Sequence, residues 1–427
     1  MTRRLVAGAL ACLLLAAGAA CGAADEQVRV LVAGDPEELA AYRSLVDAFH
    51  ASQDDVRVRL EEVTDREILI ARLATSVAGG EPPDVFLLNY RYTGRFIATG
   101  VVRPLDDLLE RSTVLSADAF YPTPMASFRA DGRQMCLPQN AASLVTYWNA
   151  DLFDAAGVPH PTAGWTWDEM VDAATALTTD DDGDGAPDVY GLGVEPEILR
   201  LAPAIWSAGG ELVDDPEGPT RLALRSAAAL GALRRFLGLR VELGATPTEE
   251  EAESEDLVSR FASGRLAMLM ESRRVVPTLR AAASFRWDVA PFPTIAEPAT
   301  VLHADGYCIT ASSPRVEDAW RFLEFALGSD GQRVMAATGR TVPSAIEVAE
   351  SDAFLDPSVI PASGSVYLDQ LAYARQVPTT PSWPRVEDAA NAILEEGFYE
   401  PAARPETSEL ALAMLRATGP LFAEDAA

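Results

Sequence analysis

The sequence predicts an α/β protein built from two domains. The chain has 427 residues, which is long enough for two domains that each bury their own hydrophobic core. Between residues 27 and 88, apolar runs and helical periodicity alternate as strand, helix, strand, helix, strand. That order is typical of a parallel sheet with helices on both faces. Residues 137–168 then add a strand, a short helix and a capped helix, which indicates a crossover between layers.

The first domain begins with a strand and a helix that meet at a polar turn. Its predicted elements are, in order, a strand at 27–32, a helix at 37–51, a strand at 56–63, a helix at 66–78 and a buried strand at 85–88. Polar residues follow two of these strands, Gly34-Asp35 after the first and Asn89-Tyr90 after the third. Ligands of such sheets gather beyond the carboxyl ends of the strands. We therefore expect Asp35, Asn89 and Tyr90 to contact a ligand.

Residues 137–168 carry their own start and stop signals. The run 144–148 has the character of a strand, and Asp151 is placed to cap a short helix that ends at Gly157. Thr166 is placed to cap the next helix, which begins at Trp167. The remaining predicted elements are a helix at 222–239, a short buried strand before Glu271, an extended segment at 287–293, a strand at 301–310, a helix at 317–327 and C-terminal helices at 383–394 and 406–415.

Charge and composition exclude several classes of function. The net charge is −30 and the isoelectric point is near 4.4, which argues against nucleic acid or an anionic membrane surface as a partner. All 34 basic residues are arginine. Without lysine, Schiff-base catalysis, lysine-dependent phosphate loops and kinase chemistry are excluded.

The N-terminus has the parts of an export signal. Arg3 and Arg4 precede an apolar run at 5–15, and small residues lead to Cys21. A cysteine after small residues resembles the lipobox of bacterial lipoproteins, so we expect a lipid anchor on Cys21 at the outer face of the cell membrane. Gly18 stands where that pattern prefers leucine, which leaves ordinary cleavage and a free secreted protein as the alternative.

Two cysteines, Cys136 and Cys308, remain outside the signal. An exported setting allows a disulfide between them, but two separate buried thiols explain them equally well.

Motifs for catalysis are scarce. The three histidines (His50, His160 and His303) have no partner at ligand spacing, and the sequence contains no nucleophile elbow, no His-Glu-x-x-His and no glycine-rich dinucleotide fingerprint. With 64 acidic residues, the pair of carboxylates that a glycosidase needs is not excluded by the sequence. A secreted hydrolase therefore stays open as an alternative.

An acidic loop follows the second domain's first capped helix. Asp180, Asp182 and Asp184 stand at positions 1, 3 and 5 of an EF-hand-type pattern, with Gly185 next and Asp188 at position 9. The glutamate of position 12 is missing. Both a structural calcium site and a solvated acidic turn fit this loop, and no other cofactor is expected.

Aromatic rings recur at strand ends and turns, where flat rings can stack on the apolar faces of sugars. They are Tyr90, Tyr92, Trp148, Trp165, Trp167, Trp206, Tyr307 and Trp383. Trp206 and Trp383 border polar turns and are the favoured site residues. Trp165 and Trp167 fit better as packing for the start of a helix.

Short segments spread along the chain resemble the bacterial extracellular solute-binding proteins of ABC sugar importers, the family of the maltose-binding protein. They include Pro82-Pro83-Asp84-Val85-Phe86, Tyr147-Trp148-Asn149 with Ala156-Gly157, Trp206-Ser207-Ala208-Gly209-Gly210, Phe261-Ala262-Ser263-Gly264-Arg265-Leu266-Ala267-Met268 and Gly339 through Pro343. Each segment is weak alone, and their order and spacing make the resemblance specific.

The resemblance implies a type II periplasmic-binding fold, α/β in class, with two lobes of mainly parallel sheet and a ligand cleft between them that closes on binding. It implies a signal at 1–21, a first lobe from 22–137 with 306–355, and a second lobe from 138–305 with 356–427. The chain would cross near 136–140 and 303–310, which would place Cys136 and Cys308 on neighbouring hinge strands.

Site positions also follow from the resemblance. Carried over residue by residue, the positions that match ligand contacts of the family are Asp35, Asn89, Tyr90, Arg91, Trp206 and Trp383. Asn140 beside the first crossing, Tyr307 among the aromatic residues, and Glu271 and Arg274 after the Ala-Met strand complete the expected contacts. The family usually has Gly-x-Trp after its Ala-Met strand, where this chain has Ser272-Arg273-Arg274. That change removes a stacking ring and adds positive charge, so a ligand with a carboxylate or phosphate and a plain arginine–carboxylate ion pair both remain open.

The predicted function is capture of a carbohydrate or related polar solute and its delivery to the permease subunits of an ABC importer, without catalysis. We expect a monomer that binds no nucleic acid and meets the membrane only through its lipid. A solute sensor of the same fold without a transporter is a further alternative beside the hydrolase.

Overall fold

A computed structural model of the chain describes residues 27–399 and 406–425. The predicted export signal and Cys21 lie outside the described residues. The strands are β1 (Gln27–Ala33), β2 (Arg57–Val63), β3 (Val85–Asn89), β4 (Arg129–Ala130), β5 (Arg133–Gln134), β6 (Cys136–Pro138), β7 (Ala142–Ser143), β8 (Val145–Asn149), β9 (Met268–Glu271), β10 (Trp287–Ala290), β11 (Thr300–His303), β12 (Asp305–Ile309) and β13 (Ala374–Arg375).

The helices follow the same chain order, and none of those described has both the length and the apolar character to span a membrane. They are α1 (Pro36–Ser52), α2 (Arg66–Ala78), α3 (Thr93–Ala98), α4 (Asp106–Arg111), α5 (Pro122–Ser127), α6 (Ala150–Ala156), α7 (Trp167–Ala176), α8 (Ile198–Ser207), α9 (Ala227–Val241), α10 (Glu249–Ser254), α11 (Leu257–Ala262), α12 (Val276–Ala282), α13 (Val316–Leu327), α14 (Ser329–Ala337), α15 (Ile346–Ala349), α16 (Ser365–Asp369), α17 (Trp383–Tyr399) and α18 (Thr407–Glu424).

The first lobe is a five-stranded sheet in the order β2-β1-β3-β12-β6. β1 pairs in parallel with β2 and β3, because helices α1 and α2 carry the chain back to the same end of the sheet after each strand. Helix α1 packs its apolar stripe, including Tyr42 and Phe49, into the core on one side of the sheet. Helix α2 places Leu69 and Leu73 in the core on the other side.

The second lobe contains the sheet β10-β8-β9, in which both pairs are antiparallel. In the first lobe, β12 also runs antiparallel to β3 and β6, because it enters that sheet from the opposite lobe. The expectation of mainly parallel sheets is therefore wrong in this detail, and both sheets contain antiparallel pairs. Helix α8 is buried along its whole length and packs on α9 and β11.

The chain crosses between the lobes at short segments beside β12. It leaves the first lobe after β6, through 139–141, and returns at Ala304, which separates β11 from β12. The single strand predicted at 301–310 is thus wrong, because β11 pairs with β7 and β13 whereas β12 pairs with β3 and β6. Cys136 and Cys308 lie opposite each other on β6 and β12 and form a disulfide, which resolves the alternatives that the sequence left open.

Helix caps agree with the sequence at one predicted site and differ at another. Thr166 and Glu169 form a reciprocal capping box at the start of α7, as expected for Thr166. Asn149, not Asp151, caps α6, because its Oδ1 already accepts hydrogen bonds from the first backbone N–H groups. Gly157 ends that helix in the left-handed conformation with φ of +67°, as predicted. Trp167 is buried, which confirms its role in packing.

Candidate functional site

Two adjoining cavities lie between the lobes, where the carboxyl ends of β1 and β3 meet the crossing segments. Their volumes are about 290 Å³ and about 100 Å³. The side chains that line both cavities are polar or charged: Glu38, Arg66, Arg274, Asp305 and Arg340. We call the two cavities together the cleft. A larger hollow of about 740 Å³ beside Leu222 and Leu415 lies away from these strand ends.

The first-lobe wall of the cleft is built on the N-terminus of α1. Asp35 caps this helix by accepting a hydrogen bond from the Glu38 backbone N–H at 2.9 Å. Arg340 bridges the two carboxylates, with its Nη1 at 2.8 Å from Asp35 Oδ2 and its Nη2 at 2.9 Å from Glu38 Oε2. Burial raises the pKa of Glu38, and the charge of Arg340 opposes that shift. The Tyr42 hydroxyl donates to the other oxygen of Glu38 at 3.0 Å.

The floor of the cleft is formed by the crossing segments. The Asp305 backbone N–H donates to Asn140 Oδ1 at 3.0 Å. In return, Asn140 Nδ2 donates to Asp305 Oδ2 and to Gln139 Oε1, both at 3.0 Å. Gln139 and Asn140 lie on the first crossing and Asp305 directly follows the second, so these side chains tie the crossings together at the base of the cleft.

The second-lobe wall presents Arg274, whose side chain is 53% exposed. Its Nη2 donates to Glu271 Oε2 at 2.8 Å, and Arg200 reaches the same oxygen from the interior, also at 2.8 Å. Burial alone would raise the pKa of Glu271, but the charges of Arg200 and Arg274 outweigh burial and hold that pKa well below its ordinary value. Glu271 is therefore a buried carboxylate that holds Arg274 at the cleft surface.

Arg66 and His303 complete the cleft. Arg66 is the first residue of α2, and its Nη2 lies 4.0 Å from Asp305 Oδ1. Its guanidinium also lies 5.6 Å from the centre of the Tyr92 ring. His303 lines the smaller cavity, and its Nε2 is buried without a hydrogen-bond partner among the described residues. Burial, together with the charges of Arg200 and Arg91, lowers the pKa of His303 well below its ordinary value, so the ring is neutral at pH 7.

This geometry, a polar cleft between two lobes joined by crossing strands, agrees with the comparison to known families. A sequence profile of the bacterial extracellular solute-binding proteins matches residues 44–361, well over half of the chain. The chain belongs to this family. Membership gives the solute-binding protein an extracytoplasmic location and a role in binding a solute, as the sequence predicted.

Individual relatives are distant but cover more than nine-tenths of the solute-binding protein. A Brucella abortus binding protein is 25% identical over 403 residues, which cover 92% of this chain and 93% of the relative. The ABC substrate-binding protein Lmo0181 of Listeria monocytogenes, solved with cycloalternan, superposes with a TM-score of 0.82 at 22% identity and covers 92% of this chain and 99% of its own.

A second solved structure, UgpB of Mycobacterium tuberculosis with glycerophosphocholine, superposes with a TM-score of 0.81 at 20% identity and covers 94% of this chain and 99% of its own. These likenesses confirm the predicted two-lobe type II fold.

Four of the ten predicted contact residues of this solute-binding protein line the cleft: Asp35, Asn89, Asn140 and Arg274. Asn89 lies at the end of β3, where its Oδ1 accepts from the backbone N–H of Arg91 at 3.3 Å. Glu271 lies directly behind Arg274 and is not part of the lining. The strand-end argument thus predicted Asp35 and Asn89 on the first-lobe wall. The presence of arginine where the family usually has an aromatic ring pointed to Arg274 on the second-lobe wall.

Tyr90 and Arg91 lie between the lobes but outside the cleft lining. The Tyr90 hydroxyl donates to Leu302 O and accepts from the backbone N–H of Val377, both at 3.2 Å. Arg91 forms a buried ion pair with Glu387 of α17. Contacts between the lobes already engage both side chains. We therefore remove them from the set of expected ligand contacts.

Three predicted aromatic contacts are also buried away from the cleft lining. Tyr307 faces the first-lobe core, edge-on to Phe322 with ring centres 6.0 Å apart. The Trp383 ring is fully buried and donates from Nε1 to Glu387 Oε2 at 3.0 Å. Trp206 is 5% exposed and lies under the guanidinium of Arg375. The polar turns beside Trp206 and Trp383 suggested exposed rings, but packing covers all three. We therefore no longer expect these rings to contact a ligand.

The acidic loop brings part of its predicted calcium ligands together. Carboxylate oxygens of Asp180, Asp182 and Asp188 lie within 4.8 Å of one another and are exposed, and Asp184 is not in this group. Backbone N–H groups of Gly183 and Gly185 donate to the two oxygens of Asp180 at 2.8 and 2.9 Å. Three exposed carboxylates at this spacing fit a calcium ion with water completing its shell.

Several residues that line the cleft were not predicted from the sequence. Glu38 and Arg66 stand in the first turns of the helices that follow β1 and β2. That position was a usable signal, because the first turn of a helix faces the same end of the sheet as the preceding strand's carboxyl end. Gln139 and Arg340 gave no comparable signal, since only the tertiary fold brings 340 beside 35.

Proposed function

We propose that this protein captures a carbohydrate or a related small polar solute in the cleft and delivers it to the permease subunits of an ABC importer. The observation that carries this proposal is the cleft itself. Both lobes contribute charged or polar side chains to its lining, and its floor is formed by the crossing segments. A few convergent polar groups in a concavity of this size suit a small ligand rich in hydroxyl groups.

Relatives support the carbohydrate assignment. The similar structure from Listeria monocytogenes contains the cyclic sugar cycloalternan, and the one from Mycobacterium tuberculosis contains glycerophosphocholine. Both ligands present several oxygen atoms for hydrogen bonds. We propose the same general chemistry here, with the identity of the ligand set by the cleft of this chain.

Binding would proceed by approach of the lobes. Arg274 lies on the second-lobe wall, whereas Asp35, Glu38 and Arg340 lie on the first. A ligand that bonds to both walls would favour the closed arrangement by its differential affinity. The carboxylates of Asp35 and Glu38 are held by Arg340 and by hydrogen bonds, so we propose binding without turnover.

The membrane arrangement and the calcium site are also proposals. The sequence around Cys21 supports a lipid anchor on a monomer that presents its cleft outside the cell. The carboxylate group of Asp180, Asp182 and Asp188 supports a structural calcium ion that takes no part in solute binding, because none of these residues lines the cleft.

A thermal-shift screen over sugars, sugar acids and polyols tests the proposed function. A bound ligand raises the melting temperature by mass action, and the same samples can be examined for products. We expect at least one member to stabilise the protein and to be recovered unchanged. Absence of any shift across the panel would contradict the carbohydrate assignment, and turnover of the bound member would favour the hydrolase.

A further inference from the structure

The side chains that line the cleft differ in how many of their donors and acceptors already bond to other protein groups. Of the lining carboxylates, Asp35 and Asp65 cap helices, and Glu38 accepts from Tyr42 and Arg340. Asp305 accepts from Asn140 through one oxygen and faces Arg66 with the other. Each of these lining carboxylates is therefore already engaged in part by protein groups.

The lining arginines differ in how fully they are engaged. Both terminal nitrogens of Arg340 already contact protein groups, namely two carboxylates and a backbone carbonyl. Arg274 bonds Glu271 through Nε and Nη2, and its Nη1 makes no hydrogen bond within the described ranges. Arg66 donates no hydrogen bond to any described residue, because its nearest carboxylate oxygen is 4.0 Å away. Arg66 and Arg274 thus keep free N–H groups, and both line both cavities.

Gln139 adds a third free donor, and its orientation is fixed by its neighbours. The backbone N–H of Asp305 can only donate, so the atom of Asn140 that it meets is the oxygen. Asn140 Nδ2 must then donate, which makes its partner on Gln139 the oxygen Oε1. Gln139 Nε2 is left buried without a partner in the described part of the chain, and Gln139 is 1% exposed and lines the smaller cavity.

Two nearby carboxylates do not cancel this excess of donors. Glu195 and Glu197 act electrostatically on Arg274, but neither accepts a hydrogen bond from it and neither lines the cleft. Glu195 is paired with Arg200 instead, at 2.9 Å. Among the charged and amide side chains of the lining, the groups left free to meet a ligand are donors, and two of them are cationic. The Nε2 of His303, which has no partner among the described residues, donates or accepts according to its tautomer.

We propose that the solute carries an oxyanion, a carboxylate or a phosphate, that binds between Arg66 and Arg274 with a further hydrogen bond from Gln139 Nε2. Arginine forks match the planar and tetrahedral oxyanions of these groups. This inference rests on the proposed function and specifies its ligand as an anionic saccharide or an anionic polyol derivative. The engaged carboxylates around Asp35 remain to accept from its hydroxyl groups through their unused lone pairs.

Matched pairs of ligands test the proposal by calorimetry on the purified mature protein. Glucose is compared with glucose 6-phosphate and with glucuronate, and glycerol with glycerol 3-phosphate. We expect at least one anionic member to bind at least tenfold more tightly than its neutral partner. The phosphate and carboxylate arms distinguish the two sources of the oxyanion, and inorganic phosphate alone shows how much of the binding the anion supplies.

Variants then locate the anion. Arg274→Gln and Arg66→Gln should each weaken the anionic ligand about 10- to 100-fold, because each removes a charge-assisted hydrogen bond. Arg72→Gln is the matched control, since Arg72 lies on the same helix as Arg66, is 47% exposed and pairs with Glu61 outside the cleft. Melting curves of the unliganded variants confirm that each is folded.

Three results would overturn the proposal. Tight binding of neutral members with no gain from the anion would refute it and leave the carbohydrate assignment intact. Binding of anions that is equally strong in Arg274→Gln, Arg66→Gln and Arg72→Gln would refute the assigned site. No binding by any neutral or anionic member would reject this proposal together with the carbohydrate part of the proposed function.

Discussion

Arg200 and Glu271 form an ion pair inside the second lobe, with 2.8 Å between Nη2 and Oε2 and side chains that are only 4% and 3% exposed. The pair joins helix α8 to strand β9, and Glu271 extends it to Arg274 at the surface of the cleft. Because the carboxylate stands between two guanidinium groups, its charge supports both the lobe interior and the wall that faces the ligand.

Replacement of this carboxylate should strongly destabilise the protein. Glu271→Gln removes the only buried carboxylate that the described residues pair with Arg200 and leaves the half-exposed Glu195 as its partner. We therefore expect a loss of about 3 kcal/mol in the free energy of unfolding. Urea unfolding followed by tryptophan fluorescence measures it. Glu211→Gln is the control, because Glu211 is 54% exposed in its ion pair with Arg375 and the loss should stay below about 1 kcal/mol. Equal losses in the two variants would contradict the role of Glu271.

Acid should remove the same stabilisation. The pKa of Glu271 is lower in the folded state than its unfolded value of about 4.3. Its contribution is therefore complete above that value and is lost as the pH falls towards the folded pKa. Between pH 5 and about pH 3, the wild-type protein should lose more stability than Glu271→Gln. Parallel urea midpoints for the two proteins over this range would show that another group dominates.

The disulfide should stabilise the fold without acting in ligand binding. Cys136 and Cys308 are 172 positions apart, so the bond restricts a long segment of the unfolded chain. The double variant Cys136→Ser, Cys308→Ser should lose roughly 2–5 kcal/mol of stability. Reductant should lower the melting temperature of the wild-type protein and leave that of the variant unchanged. A wild-type melting curve that ignores reductant would contradict the expectation.

Calcium should raise the melting temperature through the acidic loop. At a hundredfold excess over its dissociation constant, an ion that binds only the folded state adds about 2.7 kcal/mol. Melting curves in calcium and in chelator measure the difference, which should vanish in Asp180→Asn, Asp188→Asn. Asp181→Asn is the control, because Asp181 lies in the same loop but outside the carboxylate group. A calcium effect that survives the double variant would place the ion elsewhere.

Trp383 should matter for stability and not for affinity. Its indole Nε1 donates to buried Glu387 at 3.0 Å, so Trp383→Phe removes a hydrogen bond and should cost about 1–3 kcal/mol. The ligand identified by screening should bind the variant as tightly as the wild-type protein, measured by calorimetry. A large loss of affinity with little loss of stability would restore Trp383 as a stacking residue.

The sequence predicted the first lobe well because its periodic patterns are long and its caps are local. The helix predicted at 66–78 is α2 to the residue. In the second lobe, Thr166 caps α7 as expected. The strand predicted at 301–310 failed at Ala304, because nothing local reports that a strand passes from one lobe's sheet to another's. Such a change of partner is set by the tertiary fold.

The sequence predicted residues of the cleft lining mainly where they follow the end of a strand, because that position places a side chain at the edge of the sheet. Asp35 and Asn89 were found because strand ends have a fixed relation to the sheet. Tyr307 lies two residues beyond Asp305 on β12, further into the sheet, and its ring packs in the first-lobe core against Phe322. Arg340 joins the cleft through contacts with 35 and 38, and no spacing in the sequence encodes that meeting.

The bond between β6 and β12 also has a mechanical consequence. Strands that are covalently joined beside the crossings at 139–141 and Ala304 cannot slide past each other, so movement of the lobes at these two segments takes the form of backbone torsion. Such a rotation has an axis at the base of the cleft. Asn140 and Asp305, close to that axis, are displaced little, whereas Arg274 on the opposing wall sweeps the longer arc. A ligand would thus contact the floor of the cleft first and would gain its contacts with Arg274 as the second-lobe wall closes.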